Sequence, residues 1–317
     1  MTHTALPEID TSAIQVTPLS LHIGALIGGV DLTQALSSEQ ISAIRAALLK
    51  WKVVFFRNQF LSHDQHVTFA RNFGELTIGH PVFRHVKDHP EIYEIAKHRT
   101  GVRFTGERLQ RPWTGWHTDV TAAVNPPAAS ILRASVIPPF GGDTLWTNLA
   151  VAYKKLSPPL QAFLEQLRGT HQFSPPRGVT GTDQYNADVK KNRLISEHPL
   201  VRVHPETGER VLYISPSFLK TVTGLSPRES EILLELLWEH AVRSDFTVRF
   251  KWEPGSIAFW DNRSTAHLAP TDIFDQEEDR QLFRITLVGD VPVGVDGRPS
   301  SSIEGDRVDA ASATAVN

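Results

Sequence analysis

Trp116-His117-Thr118-Asp119-Val120 is the stretch on which the reading of this chain turns. Side chains of an extended segment alternate, so His117 and Asp119 point to the same side and can grip one metal ion. The third ligand expected is His267, in Trp260-Asp261-Asn262-Arg263-Ser264-Thr265-Ala266-His267. Two histidines and one carboxylate on one face of an ion leave its other positions open, which suits non-haem Fe(II) chemistry. A His-x-Asp triplet is common, and a chain with 14 histidines always offers some pairing. The weight therefore falls on what surrounds the ligands.

Working outward, the bulk properties narrow the classes. The 317 residues are 40% hydrophobic and 21% charged, enough for a substantial core. A formal net charge of −3 gives no electrostatic case for nucleic acid or an anionic membrane. With no cysteine, disulfides and thiolate ligands are excluded, and any metal site must use His, carboxylate and water. The first fifteen residues show no basic region followed by an apolar one, and no apolar run approaches the roughly 18 residues of a membrane span. The expectation is a cytoplasmic enzyme with no membrane and no nucleic-acid partner.

The chain alternates short strands with a few helices. Ile14 to Leu32 reads as strands and turns. Ser37/Gln40, Ser62/Gln65 and Ser226/Glu229 are capping-box pairs opening helices. The last of these helices shows Ile232, Leu233, Leu236 and Leu237 as its apolar face. Val53–Phe56, Ala128–Ile137, Asp143–Thr147, Val248–Trp252 and Ile257–Trp260 read as strands. Val201–His204 and Arg210–Ile214 flank a Pro-Glu-Thr-Gly turn as a hairpin. Residues 101–114 and 173–193 are aperiodic and read as mobile loops, and the polar stretch after Gly294 reads as a loose tail. Many short strands with a few flanking helices suggest a mainly β fold of the α+β kind, a β-sandwich or jelly roll.

In Arg280-Gln281-Leu282-Phe283-Arg284-Ile285-Thr286-Leu287-Val288, Arg280, Leu282 and Arg284 share parity, so a strand here sends both arginines out of one face. Facing an interior they need anions, and Arg grips planar carboxylates bidentately. Facing water they need none.

Taken together, Trp116-His117-Thr118-Asp119-Val120-Thr121, Gly141-Gly142-Asp143-Thr144-Leu145-Trp146, Trp260-Asp261-Asn262-Arg263 with His267, and Arg280 with Arg284 resemble the taurine dioxygenase family of Fe(II)- and 2-oxoglutarate-dependent dioxygenases. That group includes alkylsulfatase-type and phenoxyalkanoate dioxygenases. The resemblance runs from about Val16 to Val293. It implies a double-stranded β-helix (jelly roll) spanning 16–293 as a single domain, between a flexible N-terminus, 1–15, and a flexible C-terminal tail, 294–317. It assigns His117, Asp119 and His267 to Fe(II), and Arg280 with Thr144 to the far carboxylate of 2-oxoglutarate, O2 being the oxidant. It assigns Arg284 and His80 to an anionic substrate, and it implies a homo-oligomer, dimer or tetramer.

Where taurine dioxygenase has a pocket tyrosine this chain has Phe83, and where it has an asparagine before its metal triplet this chain has Trp113. Apolar surface does not replace hydrogen bonds to a small ammonium group. The expected substrate is thus a small organic anion with a larger apolar body, an alkyl sulfate ester or sulfonate. Hydroxylation of the carbon next to the heteroatom then releases sulfate or sulfite and an aldehyde, with succinate and CO2. An aryloxyalkanoate or other carboxylate is the alternative substrate. Zinc hydrolysis and a non-catalytic metal-binding jelly roll are the rival classes.

Overall fold

The quartet Val53-Val54-Phe55-Phe56 has no polar side to give to water, so a strand made of it must be covered on both faces. The computed structural model describes residues 12–79, 85–96, 102–104, 111–173, 179–181, 183, 187, 190–191, 193–269, 271–275 and 277–311. In it Val53–Phe56 is a fully buried strand of an eight-stranded sheet. The order across that sheet is Gln15–Pro18, Ala25–Gly28, Val53–Phe56, Ile257–Asp261, Ala129–Val136, Gln281–Thr286, His89–Ala96 and His85–Val86. Ala25–Gly28 runs parallel to Val53–Phe56, and the other pairings are antiparallel.

The two faces of this sheet have different partners. Val54, Phe56, Ile131, Phe259, Phe283 and Ile285 pack with Ile44, Leu48, Phe69 and Phe73, from the helices Ser38–Trp51 and His63–Arg71 or just beyond them. Val53, Phe55, Leu132, Trp260 and Leu282 pack with Trp146, Val248, Phe250 and Trp252. Of these, Trp146, Val248 and Phe250 lie on a second sheet, ordered Thr247–Phe250, Thr144–Asn148, Thr265–Leu268. Phe55 stacks on Phe250 at 4.0 Å between centroids, one of the contacts that lock sheet to sheet. Each such buried side chain contributes about 1.5–3 kcal/mol of transfer free energy. Between these sheets the site residues emerge.

All three capping boxes form, each serine accepting from the third residue on. The helix Pro227–Ala241 turns a narrower face inward than its composition indicates. Ser230, Leu233, Leu234 and Leu237 are buried, whereas Ile232 and Leu236 are exposed. Val222 N donates to Ser230 Oγ at 3.1 Å, which centres the contact on a small polar residue rather than on the widest part of the apolar arc.

Three further expectations change. Within the segments read as loops, Val102–Phe104 and Val179–Gly181 pair antiparallel; residues 101, 105–110, 174–178, 182, 184–186, 188–189 and 192 lie outside the described residues. The stretch after Gly294 is built into the fold up to residue 311. Ser301–Glu304 adds to the edge of Ile195–Pro199, Val308 N donates to Asn125 Oδ1 at 2.9 Å, and Ala311 N donates to Leu76 O at 2.7 Å. Most of residues 1–15, and 312–317, lie outside the described residues. The third change concerns His117 and Asp119, treated next. Among the described residues no helix is long and apolar enough to cross a membrane.

Candidate active site

His117, Asp119 and His267 converge, their ligating atoms all within 4.8 Å of one another. The cause is a backbone ladder one residue long. His117 N donates to His267 O at 2.9 Å and His267 N donates to His117 O at 2.7 Å. Directly paired antiparallel residues put their side chains on one side, and the two imidazoles lie 4.2 Å apart. Thr118 Oγ1 adds a bond to Thr265 O at 2.7 Å. Asp119 reaches the same point by a different route from the alternation expected of a strand. Only His117 is extended; Asp119 enters a turn, and Val120 takes φ +47°. A β-branched residue there carries strain of about 1–3 kcal/mol. The far end of the turn is pinned by His171 Nδ1 against Thr121 Oγ1 at 3.0 Å and His198 Nε2 donating to Thr121 O at 2.8 Å.

The donor set fits a first-row divalent ion: nitrogen and oxygen only, with three groups gathered at one point. His117 Nδ1 donates to Gly115 O at 2.9 Å, so Nε2 is the nitrogen left for an ion. Burial holds the His267 imidazole well below its usual pKa, in the neutral form that ligates metals. Burial pushes the Asp119 carboxyl up, but the Arg284 guanidinium, the two imidazoles and Ser130 outweigh it and leave Asp119 well below the ordinary carboxylate range.

Both arginines of the Arg280–Val288 stretch are buried, and the parity reading holds: Leu282 joins the core between the sheets, while Phe283, Ile285 and Leu287 join the one under the helices. Their partners differ. Arg284 Nη1 donates to Asp119 Oδ1 at 2.5 Å, with its guanidinium 5.2 Å over the Tyr93 ring. Arg280 donates from Nε to Gly142 O at 3.0 Å and, among the described residues, makes no ion pair. The nearby acids Asp143 and Asp272 both pair with Arg249 instead. Burial brings the Arg280 guanidinium down to about 10, only partly offset by those two carboxylates. A buried cation whose nearby carboxylates are paired elsewhere is costly, and such a group suits an anionic ligand.

Thr144 stands on the same face of its sheet as His267, because Trp146, two residues on, is the cross-strand partner of His267. Its Oγ1 accepts from Trp252 Nε1 at 2.9 Å, which leaves its own proton to donate to a ligand oxygen. Gly142, beside it, sits at φ +67°, and a Cβ there lies 2.9 Å from Arg280 Cδ.

Of the remaining expected residues, Trp113 packs against Trp238 at 6.2 Å, and His80 and Phe83 lie outside the described residues. Sequence reading gave no role to Ser130, Tyr93 or Trp252. Ser130 carried the one available signal, a hydroxyl sharing parity with the apolar Leu132, Ala134 and Val136 of its strand.

Residues 15–286 match the family model described as "Taurine catabolism dioxygenase TauD, TfdA family". An alpha-ketoglutarate-dependent sulfate ester dioxygenase of Pseudomonas putida is 39% identical, covering 90% of this chain and 93% of its own. An alkylsulfatase of Acinetobacter baylyi is 37% identical, covering 93% and 91%. Among solved structures, a taurine dioxygenase from Burkholderia xenovorans superposes with a TM-score of 0.83 at 64% identity, over 93% of this chain and 96% of that one.

Proposed function

The chain belongs to the taurine catabolism dioxygenase TauD, TfdA family, and from that premise we propose that it is an Fe(II)- and 2-oxoglutarate-dependent dioxygenase that hydroxylates the carbon next to the heteroatom of an alkyl sulfate ester or sulfonate. The two facing sheets are read as a double-stranded β-helix, one domain beginning near residue 16 and taking in the stretch up to 311. The reading includes a cytoplasmic homo-oligomer whose partner is a small organic anion rather than nucleic acid or membrane.

His117, Asp119 and His267 would hold Fe(II) on one face. With 2-oxoglutarate and O2, the iron would supply the oxidising chemistry: 2-oxoglutarate would lose CO2 and keep one oxygen atom of O2 as succinate, and the other atom would enter the substrate C–H bond. The chain's residues do the rest. Arg280 and Thr144 grip the far carboxylate of 2-oxoglutarate, the guanidinium by charge and the hydroxyl by its free proton. Arg284 offers a cation next to the metal cluster, with Tyr93 beneath it, and orients the substrate anion so that one C–H bond faces the metal. His80, Phe83 and Trp113 are assigned to the wall around the substrate's apolar body. The Trp146, Trp252 and Trp260 core excludes water from the inner side. With a sulfate ester, hydroxylation places OH and OSO3⁻ on one carbon. The C–O bond to sulfate then breaks, the hydroxyl proton leaves, and an aldehyde remains.

The observation that carries this reading is Arg280, a buried guanidinium with no paired carboxylate among the described residues, together with a three-residue cluster and a threonine with a proton to give. A zinc hydrolase has no use for that cation. The test is anaerobic reconstitution with Fe(II) and ascorbate, then 2-oxoglutarate, O2 and a panel of alkyl sulfates, alkanesulfonates, taurine and phenoxyacetate. Succinate and sulfate or sulfite released one to one with an alkyl sulfate or alkanesulfonate are expected. Substrate-stimulated succinate with phenoxyacetate alone overturns the substrate assignment, and none with any member overturns the function.

A further inference from the structure

Ser130 lies in the strand Ala129-Ser130-Ile131-Leu132 and points into the interior, where a hydroxyl is a liability unless its bonds are made. Its surroundings form a line of four buried polar groups. Trp260 Nε1 donates to Asn262 Oδ1 at 2.9 Å. Asn262 Nδ2 donates to Ser130 Oγ at 2.8 Å. Ser130 Oγ donates to Asp119 Oδ2 at 2.6 Å. The direction of every bond is forced from the first. An indole N–H can only donate, so the oxygen of the Asn262 amide faces it and the nitrogen faces Ser130. Having accepted from Asn262, the serine points its proton at the carboxylate. Asp119 is then held at both oxygens, Oδ2 by Ser130 and Oδ1 by Arg284. Those two restraints fix the rotation of the carboxylate about Cβ–Cγ. The ring at the head of the line also packs on the other ligand: Trp260 lies 4.9 Å from the His267 imidazole.

We propose that Trp260, Asn262 and Ser130 are positioning residues, a one-way relay that sets the Asp119 carboxylate against the His267 imidazole and so tunes the strength with which the cluster binds its ion. The proposal rests on His117, Asp119 and His267 being the metal centre. It also gives the Trp-Asp-Asn-Arg stretch a division of labour. Trp260 and Asn262 serve the ligands, while Asp261 and Arg263 pair with each other at 2.9 Å and with His204 and Glu206 at 2.8 and 2.6 Å, anchoring the turn that follows the strand.

The experiment is anaerobic titration of the metal-free full chain with Co(II), reading the dissociation constant and the visible d–d spectrum, with thermal unfolding followed alongside. Partners in this position typically change metal affinity 10–100-fold. Ser130→Ala and Trp260→Phe are each expected to weaken Co(II) at least about tenfold and to shift its spectrum. Because the groups act in series, Ser130→Ala/Trp260→Phe should be no weaker than Ser130→Ala alone. Wild-type affinity and spectrum in both single variants, or losses that add in the double, overturn the relay. If one single variant does not fold, the other decides. His267→Ala separates the two readings: if wild type fails to bind Co(II), or His267→Ala binds equally well, the metal centre itself is misassigned.

Discussion

A guanidinium sealed from water is costly unless an opposite charge pairs with it, and among the described residues Arg280 makes no ion pair, with Asp143 and Asp272 near but committed to Arg249. Arg280→Lys keeps a cation but loses the fork, and a charge-assisted pair contributes about 1.5–3 kcal/mol. The KM for 2-oxoglutarate should rise about 10–100-fold with a smaller change in kcat; an unchanged KM removes Arg280 from the co-substrate. Gly142→Ala is expected to have the same signature, because the new Cβ meets Arg280 Cδ at 2.9 Å on a backbone already at φ +67°. At this scale the sequence was legible where alternation alone decides. The parity of Arg280 and Arg284 put both on one face, which the structure turns inward, and the trio expected as ligands does converge, though Asp119 gets there by a turn rather than by alternation. It was silent where a role depends on a distant partner. Ser130 resembles any strand serine until Asp119 is seen against it, and nothing local announces that Arg284 pairs with Asp119. Val120 was hidden for the opposite reason, since a β-branched residue is the last expected at positive φ.

Elements with local punctuation or a clear apolar run were readable, and the polar strand near the end of the described residues was not. The capping boxes are written within four residues, so all three helices they open were visible. Ser226→Ala should cost about 1 kcal/mol in denaturant unfolding. Ser301-Ser302-Ile303-Glu304 carries no such signal and becomes a strand only because Ile195–Pro199 offers an unpaired edge. It brings Ser300 with it, whose Oγ lies 2.7 Å from His198 Nδ1. Removing residues 300–317 should therefore lower the unfolding temperature by several degrees, on the order of a 1–3 kcal/mol loss for an orphaned buried imidazole and a bare strand edge. It should also weaken the grip on Thr121, two residues beyond Asp119. An unchanged melting curve places that stretch outside the folded unit.

The whole molecule carries a pH dependence of its own. His66, His171 and His198 are fully buried, and burial depresses all three, His198 to about 3. Unfolded histidine titrates near about 6.5. Below that value the unfolded chain takes up protons that the folded one refuses. Stability is thus fully present above about pH 6.5 and is lost as pH falls, by up to about 1.4 kcal/mol per unit for each histidine. Urea midpoints of the metal-free protein should drop steeply between pH 7 and 5, and His198→Asn should flatten that slope; parallel slopes contradict it.

The order of strands in the large sheet has a last consequence, for how the molecule comes into being. Gln281–Thr286 lies between Ala129–Val136 and His89–Ala96, and Ile257–Asp261 between Ala129–Val136 and Val53–Phe56. A growing chain must leave two slots open in the middle of its sheet until the late segments emerge from the ribosome. His267 and both arginines arrive with or between those segments. Until then the polypeptide holds His117 and Asp119 without His267 or either arginine, so on the proposed assignment oxidising chemistry waits for the sheets that confine it.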